Sequence, residues 1–119
     1  MLQTQFHHQR LDAYRVSVAL TACCHRFIAG FARGHAKLSD QLRRAATAVP
    51  LLIAEGANRW SRAQKHQRFV EAAGECGEVA AAIEVALVIG EGDVATAREA
   101  LALAERVGRM LTRLVQKFS

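Results

Sequence analysis

The stretch from Leu42 to Ser61, LRRAATAVPLLIAEGANRWS, constrains the fold more than any other part of this chain. Its small and apolar residues recur at steps of three and four, which places them on one face of a helix. These residues are Leu42, Ala45, Val49, Leu52 and Gly56. The pattern stops at Glu55 and Gly56, and Ser61 begins a new helix with Gln64 as its partner in a capping box. The stretch therefore predicts a tight helical hairpin, whose small residues allow its two helices to pack closely as the inner pair of a bundle.

Four helical patterns cover the 119 residues. We expect helices near residues 10–31, 38–58, 62–89 and 93–117, with Ser39 or Asp40 capping the second and Asp93 capping the fourth. Pro50 lies inside the second helix and predicts a kink, because the apolar spacing continues past it. Four helices joined by short links predict an all-α, antiparallel up-down-up-down four-helix bundle. Residues 1–119 then form one four-helix-bundle domain, with residues 1–9 as a frayed N-terminal tail.

The apolar runs are too short to cross a membrane. The longest uncharged runs, residues 45–54 and 16–24, are about half of the roughly 20 apolar residues that a bilayer requires. We therefore expect no transmembrane helix and no membrane partner. The three cysteines, Cys23, Cys24 and Cys76, lack a metal-binding spacing and predict buried, reduced thiols in a cytoplasmic protein. A disulfide from the first helix to Cys76 is the alternative.

Sequence patterns of catalysis and cofactor binding are absent. The chain has none of the Glu-x-x-His pairs by which helical bundles hold metals, no phosphate-binding glycine loop and no nucleophile elbow. We therefore expect no enzymatic activity, no cofactor and no metal site. Glu55 and Arg59, four residues apart, predict an ion pair that stabilises the hairpin together with Gly56. The competing enzyme hypothesis places Glu55, Arg59 and His66 around a cleft.

Positive charge is concentrated in the first part of the chain. Residues 1–68 carry eleven Lys or Arg against three Asp or Glu, a net charge of +8, whereas the remaining residues carry −3. Such a split indicates either an anionic partner or complementary faces that meet in an oligomer.

Six bases flank the hairpin with the density expected of phosphate contacts, and Trp60 beside them is able to stack on a nucleic-acid base. The six predicted contact residues are Arg43, Arg44, Arg59, Arg62, Lys65 and Arg68. We expect this basic surface to bind RNA or DNA, or a nucleic-acid-processing protein. Two alternatives are a solvated basic surface and a structural or protein-interaction oligomer without nucleic-acid binding. In that oligomer the bases would pair between subunits with acidic residues of the third helix, namely Glu71, Glu75, Glu78 and Glu84.

The hairpin residues also resemble a protein family. LRRAATAVPLLIAEGANR, followed by Phe69, Ala72, Gly74 and Glu78-Val79, looks like the small bacterial four-helix-bundle proteins first noticed as reading frames in intervening sequences of large-subunit ribosomal RNA genes. The accessory variability determinants of diversity-generating retroelements are similar to that family. The resemblance runs over roughly residues 11–115 and is strongest over residues 42–59. The chain departs from the family pattern at Ala48, Leu52 and Glu75, where the family usually has serine or asparagine.

The resemblance implies a four-helix bundle that assembles into a ring-like homopentamer without enzymatic activity. For the retroelement relatives it implies binding to nucleic acid and to a reverse transcriptase through a basic surface. The residues themselves also predict self-association, because the first helix is apolar around more of its circumference than one bundle core buries. The number of five subunits comes only from the resemblance.

Overall fold

The computed structural model of the protein describes residues 6–32 and 34–119. This part of the chain contains four long α-helices and no β-strand, which confirms the predicted all-α four-helix fold. The helices are α1 (Asp12–Ala29), α2 (Ala36–Asn58), α3 (Arg62–Val88) and α4 (Val94–Lys117), and a 3-10 turn at His7–Arg10 precedes them. None of these helices combines the length and the apolar character that spanning a bilayer requires.

Two of the predicted helix caps form. The Ser61 side chain accepts a hydrogen bond from the Gln64 N–H, and the Asp93 carboxylate accepts one from the Thr96 N–H. Each bond satisfies an N–H group that has no partner inside the helix. The caps explain why α3 and α4 begin close to their predicted positions.

The predicted N-cap of α2 was wrong, whereas the helix ends at the predicted residue 58. The helix begins at Ala36 with His35 at its N-cap, and the Ser39 hydroxyl donates to the Ala36 carbonyl inside the first turn instead of capping the helix. At the other end, α2 continues through Glu55 and Gly56 and ends at Asn58. The apolar pattern stops at Glu55 and Gly56, which suggested an earlier end. However, Gly56 is buried against another helix, and a glycine in such a place does not necessarily end the helix to which it belongs.

Successive helices turn back on one another through links of six, three and five residues. Gly56, near the end of α2, lies against Phe69, near the start of α3, whereas Arg44 in the first half of α2 reaches Glu78 in the second half of α3. These contacts require α2 and α3 to run in opposite directions. Each helix packs against two neighbours, and the contact between α2 and α3 is the most extensive, as the small residues of the hairpin predicted.

Most of the apolar surface of α1 faces the bundle core. Leu20, Cys23, Cys24 and Phe27 are fully buried, and Val18 is the one large apolar side chain of α1 that is exposed. The premise that α1 has more apolar surface than one core buries was therefore wrong. Contacts with both α2 and α4 bury a wider stripe than a single neighbour would.

The three cysteines are free and buried. Burial raises the pKa of the Cys24 thiol to about 12 and also raises the pKa of the Cys76 thiol. The Cys76 thiol lies 3.3 Å from the Ala104 carbonyl oxygen of α4. Because no disulfide joins α1 to Cys76, the thiols act as small apolar core residues.

A hydroxyl of α1 replaces a hydrogen bond that Pro50 removes from α2. Proline has no N–H, so the Ala46 carbonyl, four residues earlier, lacks its usual helical donor. Thr21 Oγ1 lies 2.6 Å from that carbonyl oxygen and 3.0 Å from the Ser17 carbonyl oxygen of its own helix. Ala46 is fully buried, and α2 runs through Pro50 without interruption. The interhelical bond therefore allows a proline inside a buried helix.

We expect Thr21→Val to lower the free energy of unfolding by about 1–3 kcal/mol, because it leaves a buried carbonyl without a donor. In a Pro50→Ala background the cost should be smaller, since the restored N–H of residue 50 bonds to Ala46. Thr47→Val is the control, because the Thr47 hydroxyl bonds only to the Arg43 carbonyl on the exposed side of α2. Urea unfolding of the variants measures these differences. An equal cost of Thr21→Val in both backgrounds would contradict the explanation.

A buried carboxylate connects the two links at the α3–α4 end of the bundle. The Glu91 side chain is only 6% exposed, and its oxygens accept hydrogen bonds from the Ala32 N–H at 3.0 Å and from His35 Nδ1 at 2.6 Å. The bond from Ala32 is the main cause that holds the pKa of Glu91 below its ordinary value; burial opposes this effect and His35 adds to it. Glu91 thus joins the α1–α2 link to the α3–α4 link.

The lowered pKa of Glu91 predicts a loss of stability in acid. A carboxylate of this kind contributes stability that is fully present above the ordinary value of 4.5 and is lost as the pH falls through its lower folded-state pKa. We expect Glu91→Gln to lower the urea midpoint at pH 7 and to weaken the fall of that midpoint in acid. Glu84→Gln removes an exposed carboxylate that has no ion pair among the described residues and should keep the parental profile. Parallel pH profiles for the parent and Glu91→Gln would contradict the prediction.

Candidate nucleic-acid interface

The six bases predicted to contact nucleic acid lie in two groups. Arg43 and Arg44 belong to the first half of α2, whereas Arg59, Arg62, Lys65 and Arg68 lie at the α2–α3 link and in the first two turns of α3. The α-helical rise of 1.5 Å per residue separates Arg44 from Arg59 by roughly 22 Å along the bundle. The two groups are therefore separated along the bundle.

Acidic side chains of the same chain neutralise the first group. Arg43 lies 2.9 Å from Asp40, and Arg44 lies 3.2 Å from Glu75 and 2.6 Å from Glu78. Hydrogen bonds to Glu78 and Glu75 raise the pKa of Arg44, and the bond from Arg44 lowers the pKa of Glu78. These bases have partners within the chain before any ligand or second subunit is present.

Arg68 also has acidic partners, and they change the predicted pairing of the hairpin. The sequence predicted that Glu55 pairs with Arg59, but Glu55 Oε2 lies 3.3 Å from Arg68 Nε, and Arg68 Nη1 lies 2.7 Å from Glu71. Arg59 is the C-cap of α2 and has an extended backbone, with φ −78° and ψ 155°. The extended backbone removes Arg59 from the helical i+4 position, while the packing of α3 on α2 brings Arg68 next to Glu55. The predicted Glu55–Arg59 pair is therefore wrong.

Gly56 makes the close approach that the hairpin requires. A Cβ at this position would lie 2.7 Å from Phe69 Cε1 and 2.9 Å from Phe69 Cδ1, closer than side chains approach one another. Phe69 is 1% exposed and has little room to move away. The glycine thus allows the ring of α3 to pack directly on the backbone of α2.

Four cations and one aromatic side chain remain at the α2–α3 end of the bundle, and none of them pairs with a carboxylate of the described residues. We call this set the hairpin-end surface. It consists of Arg59, Trp60, Arg62, Lys65 and Lys117. Trp60 is 94% exposed, which makes it the most exposed large apolar side chain of the described residues. The hairpin-end surface combines free positive charge with an accessible aromatic ring.

Main-chain carbonyls hold two of these cations in place. Lys65 Nζ donates to the carbonyls of Ala57 at 3.0 Å and Gly56 at 3.4 Å, the position at a helix C-terminus that favours a cation. Arg62 donates to the Lys117 carbonyl. Because carbonyl groups have no net charge, these bonds orient the cations without neutralising them.

A cavity of about 420 Å³ opens beside Trp60, which is one of its lining side chains. Its apolar lining comes from the start of α1, the end of α2, the first turns of α3 and the end of α4. The lining side chains of this type are Leu11, Ala57, Phe69, Leu114 and Phe118. Polar lining is provided by Arg59, Lys65 and Lys117 of the hairpin-end surface, together with His7 and Asn58.

The 3-10 turn at His7–Arg10 closes one side of this cavity. The His7 N–H donates to Asn58 Oδ1 at 3.2 Å, and the Asn58 amide nitrogen lies 2.8 Å from His8 Nδ1. The His8 ring also packs edge-on against Tyr14, with ring centroids 4.6 Å apart. The sequence predicted a frayed tail over residues 1–9; residues 7–9 are instead part of this turn, and residues 1–5 lie outside the described residues. Asn58 fastens the turn through bonds that no local pattern predicts.

Sequence reasoning missed Lys117 and His7 as parts of this region. Lys117 belongs to the part of the chain with net negative charge, but the last turn of α4 lies beside the α2–α3 link in the folded bundle. Arg113, one helical turn earlier, lies on the same face of α4. The available signal was the predicted topology itself, because an up-down-up-down bundle brings the end of its fourth helix to the link between the second and third.

Two residues of the competing enzyme hypothesis, Glu55 and Arg59, line the same depression. Glu55 and Arg59 line an open depression with Leu51, Ala54 and Asn58, and His66 is not part of that lining. No three His, Cys, Asp or Glu side chains within residues 6–32 and 34–119 are close enough together to hold a metal ion.

The chain matches the family described as 23S rRNA-intervening sequence protein over residues 9–113. The chain belongs to this family. The match confirms the family that the hairpin residues indicated. None of the curated proteins compared with the chain matches it.

The family match covers only part of the cavity. It includes α1, α2, α3, the first part of α4 and the link that carries Arg59 and Trp60, but it ends before Lys117 and Phe118. The side of the cavity that the end of α4 forms therefore lies outside the matched residues.

Proposed function

We propose that the protein binds single-stranded nucleic acid through the hairpin-end surface. The observation that supports this most is the exposed ring of Trp60 among four cations that have no carboxylate partner. Aromatic stacking combined with positive charge is the usual basis of single-strand binding, since every base has a face on which to stack. The accessory variability determinants that are similar to this family are implied to bind nucleic acid, which agrees with this proposal.

The ion pairs of the bundle reduce the predicted interface. Arg43, Arg44 and Arg68 already contact carboxylates, so a phosphate would have to compete with these partners. Arg59, Arg62, Lys65 and Lys117 need to give up only water or a main-chain carbonyl. The proposed interface therefore keeps three of the six predicted bases and adds Lys117.

Binding of this kind should discriminate poorly between sequences. The described residues include no recognition helix, zinc finger or aromatic pair on a β-sheet that reads bases. Phosphate contacts and stacking position a strand without identifying its bases. We expect RNA and DNA single strands of different sequence to bind with similar affinity.

We expect the double variant Arg59→Gln/Lys117→Gln to bind single-stranded RNA more weakly than the parent and with a smaller salt dependence. Each phosphate contact that is lost should reduce the slope of log affinity against log salt by about 0.7. Fluorescence anisotropy over a range of salt concentrations measures both quantities. The control, Arg43→Gln/Arg98→Gln, removes the same charge elsewhere and should keep the parental slope. Equal slopes for the two double variants, or no binding by the parent at low salt, would contradict the proposal.

Self-association is the second candidate function, and exposed apolar residues at the opposite end of the bundle support it. Val85, Val88, Ile89 and Val94 lie on the last turn of α3, the link and the first residue of α4, and Val88 is 87% exposed. An apolar cluster of this kind is typical of protein contacts. The resemblance implies five subunits, and a ring would repeat the hairpin-end surface and strengthen weak phosphate binding through multivalency.

We expect the parent to sediment as an oligomer at micromolar concentration and Val88→Glu to reduce its mass, because a charge would then be buried in the subunit contact. Val70→Glu, on an exposed position of α3 outside this cluster, is the control and should sediment like the parent. A monomeric parent would contradict self-association. An unchanged oligomer in Val88→Glu would exclude this cluster as its contact.

A further inference from the structure

The cavity beside Trp60 has the composition of a small-ligand site. Its volume of about 420 Å³ lies in the range that ligand pockets in proteins occupy. Leu11, Phe69 and Phe118 provide an apolar lining, and Arg59 and Lys117 provide positive charge within the same cavity. A ligand that matches both the apolar lining and the positive charge has a flat apolar body with an anionic group attached to it.

The apolar lining and the positive charge of the cavity meet at the ring of Phe118. Arg62 Cζ, Lys65 Nζ and Lys117 Nζ lie 5.6, 5.8 and 5.3 Å from its centroid. None of these cations pairs with a carboxylate of the described residues, and main-chain carbonyls orient Arg62 and Lys65. An anion beside this ring meets cations whose positions are largely established before it binds, which lowers the entropic cost of binding.

We infer that the cavity holds one nucleotide of a bound single strand. Its base packs against Phe118, and its phosphate lies among Arg59, Lys65 and Lys117. Trp60, which lines the cavity and is 94% exposed, stacks on the neighbouring base. This inference rests on the proposed function, because it names the unit of the strand that the hairpin-end surface recognises.

The cavity should accept purines and pyrimidines alike. Asn58 is the lining side chain best suited to read a base, but its amide nitrogen already contacts the Ala54 carbonyl at 2.9 Å and His8 Nδ1 at 2.8 Å. Its Oδ1 accepts the His7 N–H. Because both of its amide hydrogens are engaged, Asn58 is not free to donate to a base, and the cationic lining side chains Arg59, Lys65 and Lys117 are assigned to the phosphate.

The test is displacement of a labelled single-stranded RNA from the protein, with the fluorescence of Trp60, its single tryptophan, as a second readout. The competitors are AMP, UMP, adenosine, ribose 5-phosphate and inorganic phosphate. We expect AMP and UMP to displace the strand within about threefold of each other, since stacking tolerates every base. The other three competitors, which lack either the base or the phosphate, should need at least about tenfold higher concentrations.

Three results of this experiment would overturn the inference. If ribose 5-phosphate or inorganic phosphate competes as well as AMP, the site recognises phosphate alone. If the strand binds but neither AMP nor UMP displaces it or changes Trp60 fluorescence, the cavity is not used, while the proposed function stands. Absence of strand binding at low salt would remove the proposed function and the inference with it.

A matched pair of variants tests the aromatic wall. Phe118→Leu keeps apolar volume but removes the ring, and it should weaken displacement by AMP about fivefold or more, in line with the loss of one stacking contact. Phe6→Leu changes an exposed phenylalanine that is not part of the cavity lining and should leave displacement unchanged. Thermal unfolding verifies that both variants remain folded. Equal displacement by AMP in a folded Phe118→Leu variant and the parent would overturn the inference.

Discussion

The contact between Gly56 and Phe69 is the constraint on which the α2–α3 hairpin and its functional end depend. The absence of a side chain at Gly56 allows the Phe69 ring to rest on the backbone of α2. Phe69 in turn packs against Phe118, the C-cap of α4, with ring centroids 5.7 Å apart. Both rings line the cavity beside Trp60. A larger residue at position 56 would displace the first ring and change the cavity, so the packing of the hairpin and the shape of the site depend on the same contact.

Ion pairs inside the bundle decide which of its bases are free to bind an anion. Arg44 contacts two carboxylates across the α2–α3 seam, whereas Arg68 contacts one across the seam and one on its own helix. Both bases therefore stabilise the pairing of the two helices and contribute little free positive charge. Arg62 and Lys65, one to two helical turns from Arg68, contact only carbonyls and an aromatic ring. Neighbouring bases in the sequence thus have different roles, because a carboxylate neutralises a cation and a carbonyl only orients it.

The two ends of the bundle have different chemistry. The 27 residues of α3 separate them by roughly 40 Å. Cations and aromatic rings surround a cavity at the α2–α3 end, whereas the α3–α4 end has exposed valines around a link that the buried Glu91 holds. Nucleic-acid binding at one end and subunit contacts at the other are therefore compatible proposals, because neither surface overlaps the other.

The sequence by itself determined the fold class, the number of helices, most of their boundaries and the family. These features depend on local signals, such as the three-to-four periodicity of apolar residues and the caps at Ser61 and Asp93, which act within one or two helical turns. The close approach at Gly56 was also predictable, because a small residue in an apolar stripe implies a tight contact. The tertiary structure alone decided that Glu55 contacts Arg68 instead of Arg59, that Asn58 fastens the N-terminal turn, and that Lys117 joins the hairpin-end surface. The partners of these side chains are 13 to more than 50 residues away in sequence, and only the packing of α3 and α4 brings them together.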